Sequence, residues 1–154
     1  MAKFTPGRHT AEIDGDFVVF LIGARLNKKL KAIKAYRAVF RGMSPMLKYL
    51  SARPEKGLLG YTMGFPVIVQ YWRSIDDLVK FANDPDDPHL AAWRNYTRQV
   101  HKSGEAGIWH ETFLVKAGQF EAVYDNMPAF GLARAGRMVP VVGRTDRALD
   151  RIGS

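Results

Sequence analysis

Residues 107–115, Gly107-Ile108-Trp109-His110-Glu111-Thr112-Phe113-Leu114-Val115, read as a β-strand. β-Branched and aromatic residues dominate, Gly104 and Gly107 precede the run, and Ala117-Gly118 closes it. A period of two sets Trp109, Glu111, Phe113 and Val115 on one face and Ile108, His110, Thr112 and Leu114 on the other. Both faces are mainly apolar, which is the signature of a strand covered on both sides. Each face also carries one ionisable group. A carboxylate between Trp109 and Phe113 is costly unless it is paired, protonated or open to a pocket.

Upstream of that strand the period switches several times. Asp16 to Leu26 is a second strand with apolar residues on both faces, and Arg25 stands at its exit. From Lys28, Leu30, Ile33, Tyr36, Phe40, Met43, Leu47 and Leu50 recur at helical spacing. Gly42-Met43-Ser44-Pro45 then predicts a break, giving two helices at about 28–42 and 45–52. Gly57–Met63 and Val67–Arg73 read as two strands joined by the turn Gly64-Phe65-Pro66, hence an antiparallel hairpin. Ser74 is placed as the N-cap of the next helix, and His89 opens a longer one that ends near Gly104. Gln119–Tyr124 reads as a further short strand.

The order is therefore strand, helices, strand, strand, helices, strand: an α+β, ferredoxin-like βαββαβ unit over residues 16–128. Residues 1–15 are expected as an irregular lead-in. Residues 129–154 are expected as an extended basic tail with at most a short helix near Thr145–Arg151. A ferredoxin-like sheet carries helices on one face only, whereas strands one, three and four here are apolar on both. The simplest cover for the second face is another copy of the sheet, so a homodimer closing a barrel is expected.

Composition narrows the function classes. Among 154 residues there is no cysteine, which excludes disulfides, thiolate metal sites, iron–sulfur clusters and cysteine nucleophiles and fits a cytoplasmic protein. The N-terminus lacks the apolar core of a signal peptide, and the longest apolar run, Phe17 to Ile22, is far too short for a membrane span. The net charge of +8 is concentrated: residues 1–56 hold 12 Lys/Arg against 4 Asp/Glu, while residues 104–133 hold 1 against 4. A nucleic-acid binder with a basic face throughout would not look like this. The lysine-rich side of the 28–42 helix is read as a solvated face, since nothing in it specifies a phosphate geometry. No phosphate loop, HExxH, nucleophile elbow or carboxylate–histidine metal cluster is present, so no metal is expected.

A resemblance adds to this reading. At Tyr71-Trp72-Arg73-Ser74-Ile75-Asp76-Asp77-Leu78, followed by Phe81, His89 and Trp93, the chain resembles the antibiotic-biosynthesis-type monooxygenases of the dimeric α+β barrel superfamily. These motifs combine with Ile22-Gly23-Ala24-Arg25-Leu26-Asn27, His89-Leu90-Ala91-Ala92-Trp93, Gly107-Ile108-Trp109-His110-Glu111-Thr112 and Tyr124-Asp125-Asn126-Met127-Pro128. Together they look like a bacterial family of monooxygenase-like proteins, over about residues 16–135. The resemblance implies a dimeric barrel that binds a small apolar or aromatic molecule. It implies oxidation either without a cofactor, the substrate anion itself activating oxygen, or with haem. In the haem-degrading relatives the iron ligand lies deeper in the second helix, where this chain has Ala92-Trp93; His89 comes about a turn early.

The candidate residues each have a second reading. His110 is a general base or a haem ligand, or else a hydrogen-bonded strand histidine. Glu111 is an acid or base with a raised pKa, or the partner of Arg25 or Arg73. Arg25 orients an anionic substrate or supports Glu111. His89 ligates haem or packs at a helix start. Tyr71, Trp72, Trp93, Trp109, Tyr124 and Asn126 line a substrate pocket or serve the core and turns. The strand period separates His110 from Glu111, so one faces the helices and the other the barrel; Glu111 with its aromatic neighbours is assigned to the barrel. A non-catalytic ligand- or haem-binding dimer is the alternative function.

Overall fold

The computed structural model describes residues 3–28, 32–64, 66–99 and 101–152. Four strands make the main sheet: β2 (Phe17–Leu26), β3 (Leu58–Met63), β4 (Val67–Trp72) and β5 (Ala106–Val115). A first strand, β1 (Arg8–Glu12), lies before them. The main sheet runs β3-β4-β2-β5 and is antiparallel throughout. With the helices in their places, this is the ferredoxin-like arrangement that the order of elements calls for. Three helices complete it: α1 (Ala32–Ser51), α2 (Ile75–Asn83) and α3 (Pro88–Gln99).

Register determines what faces what. β2 pairs Ile22 with Ile68 and His110, Phe20 with Gln70 and Thr112, and Val18 with Trp72 and Leu114. Directly paired residues share a face, so these three rows form one side of the sheet. Against this side pack Met46, Leu47 and Leu50 of α1 and Phe81 of α2, with Val18, Leu58, Ile68 and Trp72 from the strands. Trp72, Leu47 and Leu50 are essentially fully buried, and each such side chain stabilises the fold by about 1.5–3 kcal/mol through apolar burial. The opposite rows are Tyr71–Val19–Phe113, Val69–Leu21–Glu111 and Val67–Gly23–Trp109.

The expected break at Ser44-Pro45 is corrected: α1 runs unbroken through Pro45. An interior proline costs a helix roughly 3 kcal/mol. Here Pro45 is exposed, while Met43, Met46, Leu47 and Leu50 hold one apolar stripe against the sheet on either side of it. Burial of that stripe outweighs the local cost. Leu30, Phe65 and Val100 lie outside the described residues, as do Lys29, Lys31 and the side chains of 32–41, which together carry most of the lysine-rich face. Ser74 caps α2 as expected, its hydroxyl accepting from the Asp77 amide at 3.1 Å.

The two chain ends also depart from expectation. The lead-in is not irregular and the tail is not extended. β1 lies between β6 (Tyr124–Asp125) and β7 (Arg137–Pro140) in a second antiparallel sheet, with the short helix α4 (Leu132–Ala135) just before β7. The strand expected over 119–124 shrinks to the two residues of β6. Phe120 and Ala122 pack instead into an apolar cluster with Ala11, Phe17, Tyr71 and Leu132, which lays α4 over one end of the main-sheet face that is free of α1–α3 and helix-free along the rest of its length. Gly136 makes this docking feasible: a β-carbon there would sit 2.2 Å from the Glu12 carbonyl oxygen. A last helix, α5 (Ala148–Arg151), is tied down by the buried Arg151, whose guanidinium donates to the Glu121 carboxylate and to the carbonyls of Thr145 and Asp146. Among the described residues, no helix is long and apolar enough to cross a membrane.

Candidate functional site

Between the main sheet and the helices lies a cavity of about 450 Å³. Phe20, Ile22, Gln70, Trp72, His110 and Thr112 form its floor; α1 contributes Met43 and Leu47, α2 Leu78 and Phe81, and α3 His89 and Trp93. The floor follows from strand period two, which brings these six residues up from three strands onto one face. The walls come from the apolar stripes of three helices. Most of the lining is aliphatic or aromatic, with a few polar groups, the usual make-up of a small-molecule site.

His110 stands on this floor. Its ring lies 5.3 Å from that of Phe20, and among the described residues it has no hydrogen-bond partner. His89, near the start of α3, is held more firmly. Its Nδ1 lies 2.9 Å from the carbonyl oxygen of Ala82, in the last turn of α2. A carbonyl only accepts, so Nδ1 carries the proton and Nε2 is left as the ring's basic nitrogen. Trp72, Phe81 and His89 follow one another at centroid distances of 5.7 and 5.9 Å and make an aromatic wall.

Gln70 is the residue that the sequence reading missed. It is 5% exposed, and its Oε1 accepts the indole N–H of Trp72 at 2.9 Å. An indole only donates, so the orientation of the carboxamide is fixed and its NH2 group is the free end. Among the described residues no acceptor meets that NH2 group. The available signal was a lone polar residue on the same strand face as Ile68 and Trp72, in an otherwise apolar strand.

Glu111 lies on the other side of the sheet, opposite Leu21 and exposed, between half-exposed Trp109 and Phe113. Its cost on an apolar strand is relieved by solvent, not by a cation. Arg25, opposite Gly107, is four residues farther along the sheet, roughly 13 Å at the usual strand rise, with the Trp109 row between. Arg73 pairs with Asp77 at 2.9 Å and donates to the Glu55 carbonyl. Trp109 lies flat over Gly23: a β-carbon at Gly23 would be 2.7 Å from the indole ring.

The sequence candidates are thus divided. Trp72, Trp93, His89 and His110 meet at the cavity; Glu111, Arg25 and Trp109 share the helix-free face. Tyr71, on that same face of β4, packs with Tyr124 against the second sheet, and Asn126 follows β6. The Tyr124 hydroxyl accepts from the Ala133 amide at 3.2 Å, and burial pushes the Tyr124 and Tyr71 phenols up. Asn126, at φ 52°, shapes a turn and accepts from the Gly7 amide at 3.0 Å. A second concavity, about 460 Å³, lies beside β1 and β7, but its chief charges are already paired, Arg137 with Asp14 at 2.8 Å and Arg151 with Glu121. Among the described residues no three metal-ligating side chains cluster. The haem expectation meets a mixed site: His89 offers a suitable iron ligand, whereas no described lining residue is a cation that would pair with the propionates.

Comparison with known proteins places this architecture. The family described as "Monooxygenase af470-like" matches residues 17–132. A curated relative, Monooxygenase af470 of Aspergillus fumigatus, is 28% identical over 177 aligned positions; the match takes in 100% of this chain and 62% of the relative. The chain therefore spans less than two thirds of that protein's length. Among solved structures, a dimeric protein of unknown function with a ferredoxin-like fold from Bacteroides fragilis is similar at 13% identity and a TM-score of 0.41, over 63% of this chain and 96% of the other. A conserved protein of unknown function from Bacteroides thetaiotaomicron, described as a possible oxidoreductase, is similar at 16% identity and a TM-score of 0.37, over 66% and 99%. The family match runs from the first residue of β2 to the first of α4, through every strand and helix that encloses the cavity. The chain belongs to the monooxygenase af470-like family.

Proposed function

We propose that the chain is a monooxygenase-like oxidoreductase that oxidises a small aromatic molecule in the cavity between sheet and helices. The observation that carries this is the lining: about 450 Å³ of mainly apolar surface with the unbonded imidazole of His110 on its floor. A neutral imidazole there takes the proton of a phenol bound against Phe20. The resulting phenolate is electron-rich enough to reduce oxygen directly, without a cofactor. Oxygen adds to a ring carbon as a hydroperoxide, and loss of water leaves a carbonyl at that carbon. One oxygen atom enters the product as a quinone and the other leaves as water, so a phenol and O2 become a quinone and H2O. Phe20 and Trp93 hold the ring system, Trp72 backs the floor from behind, and His89 supplies a second basic nitrogen.

In the same reading the helix-free face, with Trp109, Glu111 and Phe113, meets the same face of a second copy, and Arg25 lies at its margin as a partner for a carboxylate. Haem in the same cavity is a second reading, favoured by the fixed His89 tautomer. The test is oxygen uptake with 1-naphthol against naphthalene, with the absorption spectrum recorded before and after adding haem. Uptake and quinone formation with 1-naphthol alone support the proposal. A Soret band that is lost in His89→Ala, with no haem-free uptake, supports the second reading.

A further inference from the structure

We infer that Gln70 sets the substrate class of the cavity: it is the hydrogen-bond donor for an acceptor oxygen on an otherwise apolar ring system. This rests on the cavity being the binding site. Three observations support it. Gln70 is one of the few buried polar side chains of the main sheet and it lines the cavity. The Trp72 indole N–H donates to its Oε1 at 2.9 Å, which orients the carboxamide and leaves both N–H donors of its NH2 end to serve a ligand. No described residue accepts from that end, although Trp72 itself is completely buried beside it.

A buried donor without an acceptor is costly, so the site gains most from a ligand that brings one. The NH2 group donates and cannot accept. It therefore favours a carbonyl or phenolate oxygen over an amine or a bare hydrocarbon edge. Thr112 shares the cross-strand row through Phe20, which places a hydroxyl farther along the same floor. Gln70 and His110 are separated by β2, about 10 Å across the sheet at the usual strand spacing. A fused-ring molecule lying over Phe20 spans that distance, with an acceptor oxygen at Gln70 and a phenol hydroxyl on its far edge at His110. Where that acceptor is a carbonyl conjugated with the phenol, it shares the phenolate charge formed at His110, and the Gln70 donor stabilises it there.

The experiment compares 1-tetralone with tetralin, the same skeleton with and without a carbonyl, by titration calorimetry on the full chain. The wild type is expected to bind the ketone about tenfold more tightly, the worth of one good hydrogen bond. Gln70→Met is expected to lose the preference, binding the two probes with affinities within about twofold of each other. Because this change also removes the acceptor of Trp72, the carbonyl stretch of 1-tetralone bound to the wild type is read as well, and it should lie below its value in hydrocarbon solvent. Equal affinities for the two probes, or an unshifted carbonyl band, overturn the role of Gln70 while leaving the cavity as a binding site. Binding of neither probe overturns both.

Discussion

His110 and Glu111 are consecutive in β5 and occupy opposite faces of the sheet, His110 across from Ile22 beneath the helices and Glu111 across from Leu21 on the helix-free side. One molecule bound in the cavity touches the first and not the second. His110→Ala is expected to lower turnover of 1-naphthol by about 10²–10⁴-fold, the worth of a general base. Glu111→Gln is expected to change it less than threefold. Steady-state oxygen uptake on both variants checks this, and equal losses would place the chemistry elsewhere.

The junction between α1, α2 and α3 depends on one carboxylate. Asp87 accepts from the Tyr49 hydroxyl at 2.6 Å and from the Lys56 ammonium at 2.8 Å, and its side chain is wholly buried. Burial alone would raise its pKa; the hydrogen bonds from Lys56 and Tyr49 prevail and hold the carboxyl below its ordinary 3.8. A depressed carboxylate stabilises the fold above the unfolded-state value and ceases to do so as pH falls through the folded one. Thermal unfolding should therefore show Asp87→Asn less stable than the wild type by about 2 kcal/mol at neutral pH. The gap should close below about pH 4. A gap independent of pH would contradict the charge pairing.

Trp109 covers Gly23 on the face assigned to the dimer. In Gly23→Leu the indole must swing away, since the first added carbon already lies 2.7 Å from the ring. Sedimentation velocity is expected to show a dimer for the wild type and a monomer for both Gly23→Leu and Phe113→Asp, each retaining native circular dichroism. A wild type that sediments as a monomer at micromolar concentration would remove the dimer from the account.

The second layer has its own test. Gly136→Ala drives a methyl group toward the Glu12 carbonyl oxygen, against backbone that cannot rotate away. Overpacking of this kind costs about 1–3 kcal/mol. Thermal melts should show that loss, and proteolysis should open residues 137–152 before the main sheet. An unchanged melt would mean that β7 is not held to β1 as described.

Much of the main sheet was legible in the sequence because period two and period 3.6 are local signals. The strands, the Ser74 cap and the hairpin after Met63 all follow from a few neighbouring residues. The second layer was not legible. Its pairing of Thr10 with Val139 joins residues at opposite ends of the chain, and each strand is too short to announce itself. Pro45 misled for a related reason: the local cost was visible, but the burial of Met46, Leu47 and Leu50 that outweighs it was not. At the site, the opposition of His110 and Glu111 could be read from β5 alone. Which face carried the cavity could not, because that depends on where three helices settle. Gln70 escaped notice because its meaning comes from Trp72, the residue that takes up its oxygen.

Whether the cavity above Phe20 is the binding site is tested most directly by backbone and side-chain chemical shifts on titration with 1-tetralone. Resonances of His110, Thr112 and the Gln70 side-chain amide are expected to move together and saturably, with those of Trp109, Glu111 and Phe113 moving little. Shifts concentrated at Trp109, Glu111 and Phe113, with Gln70 and His110 unchanged, would contradict the account.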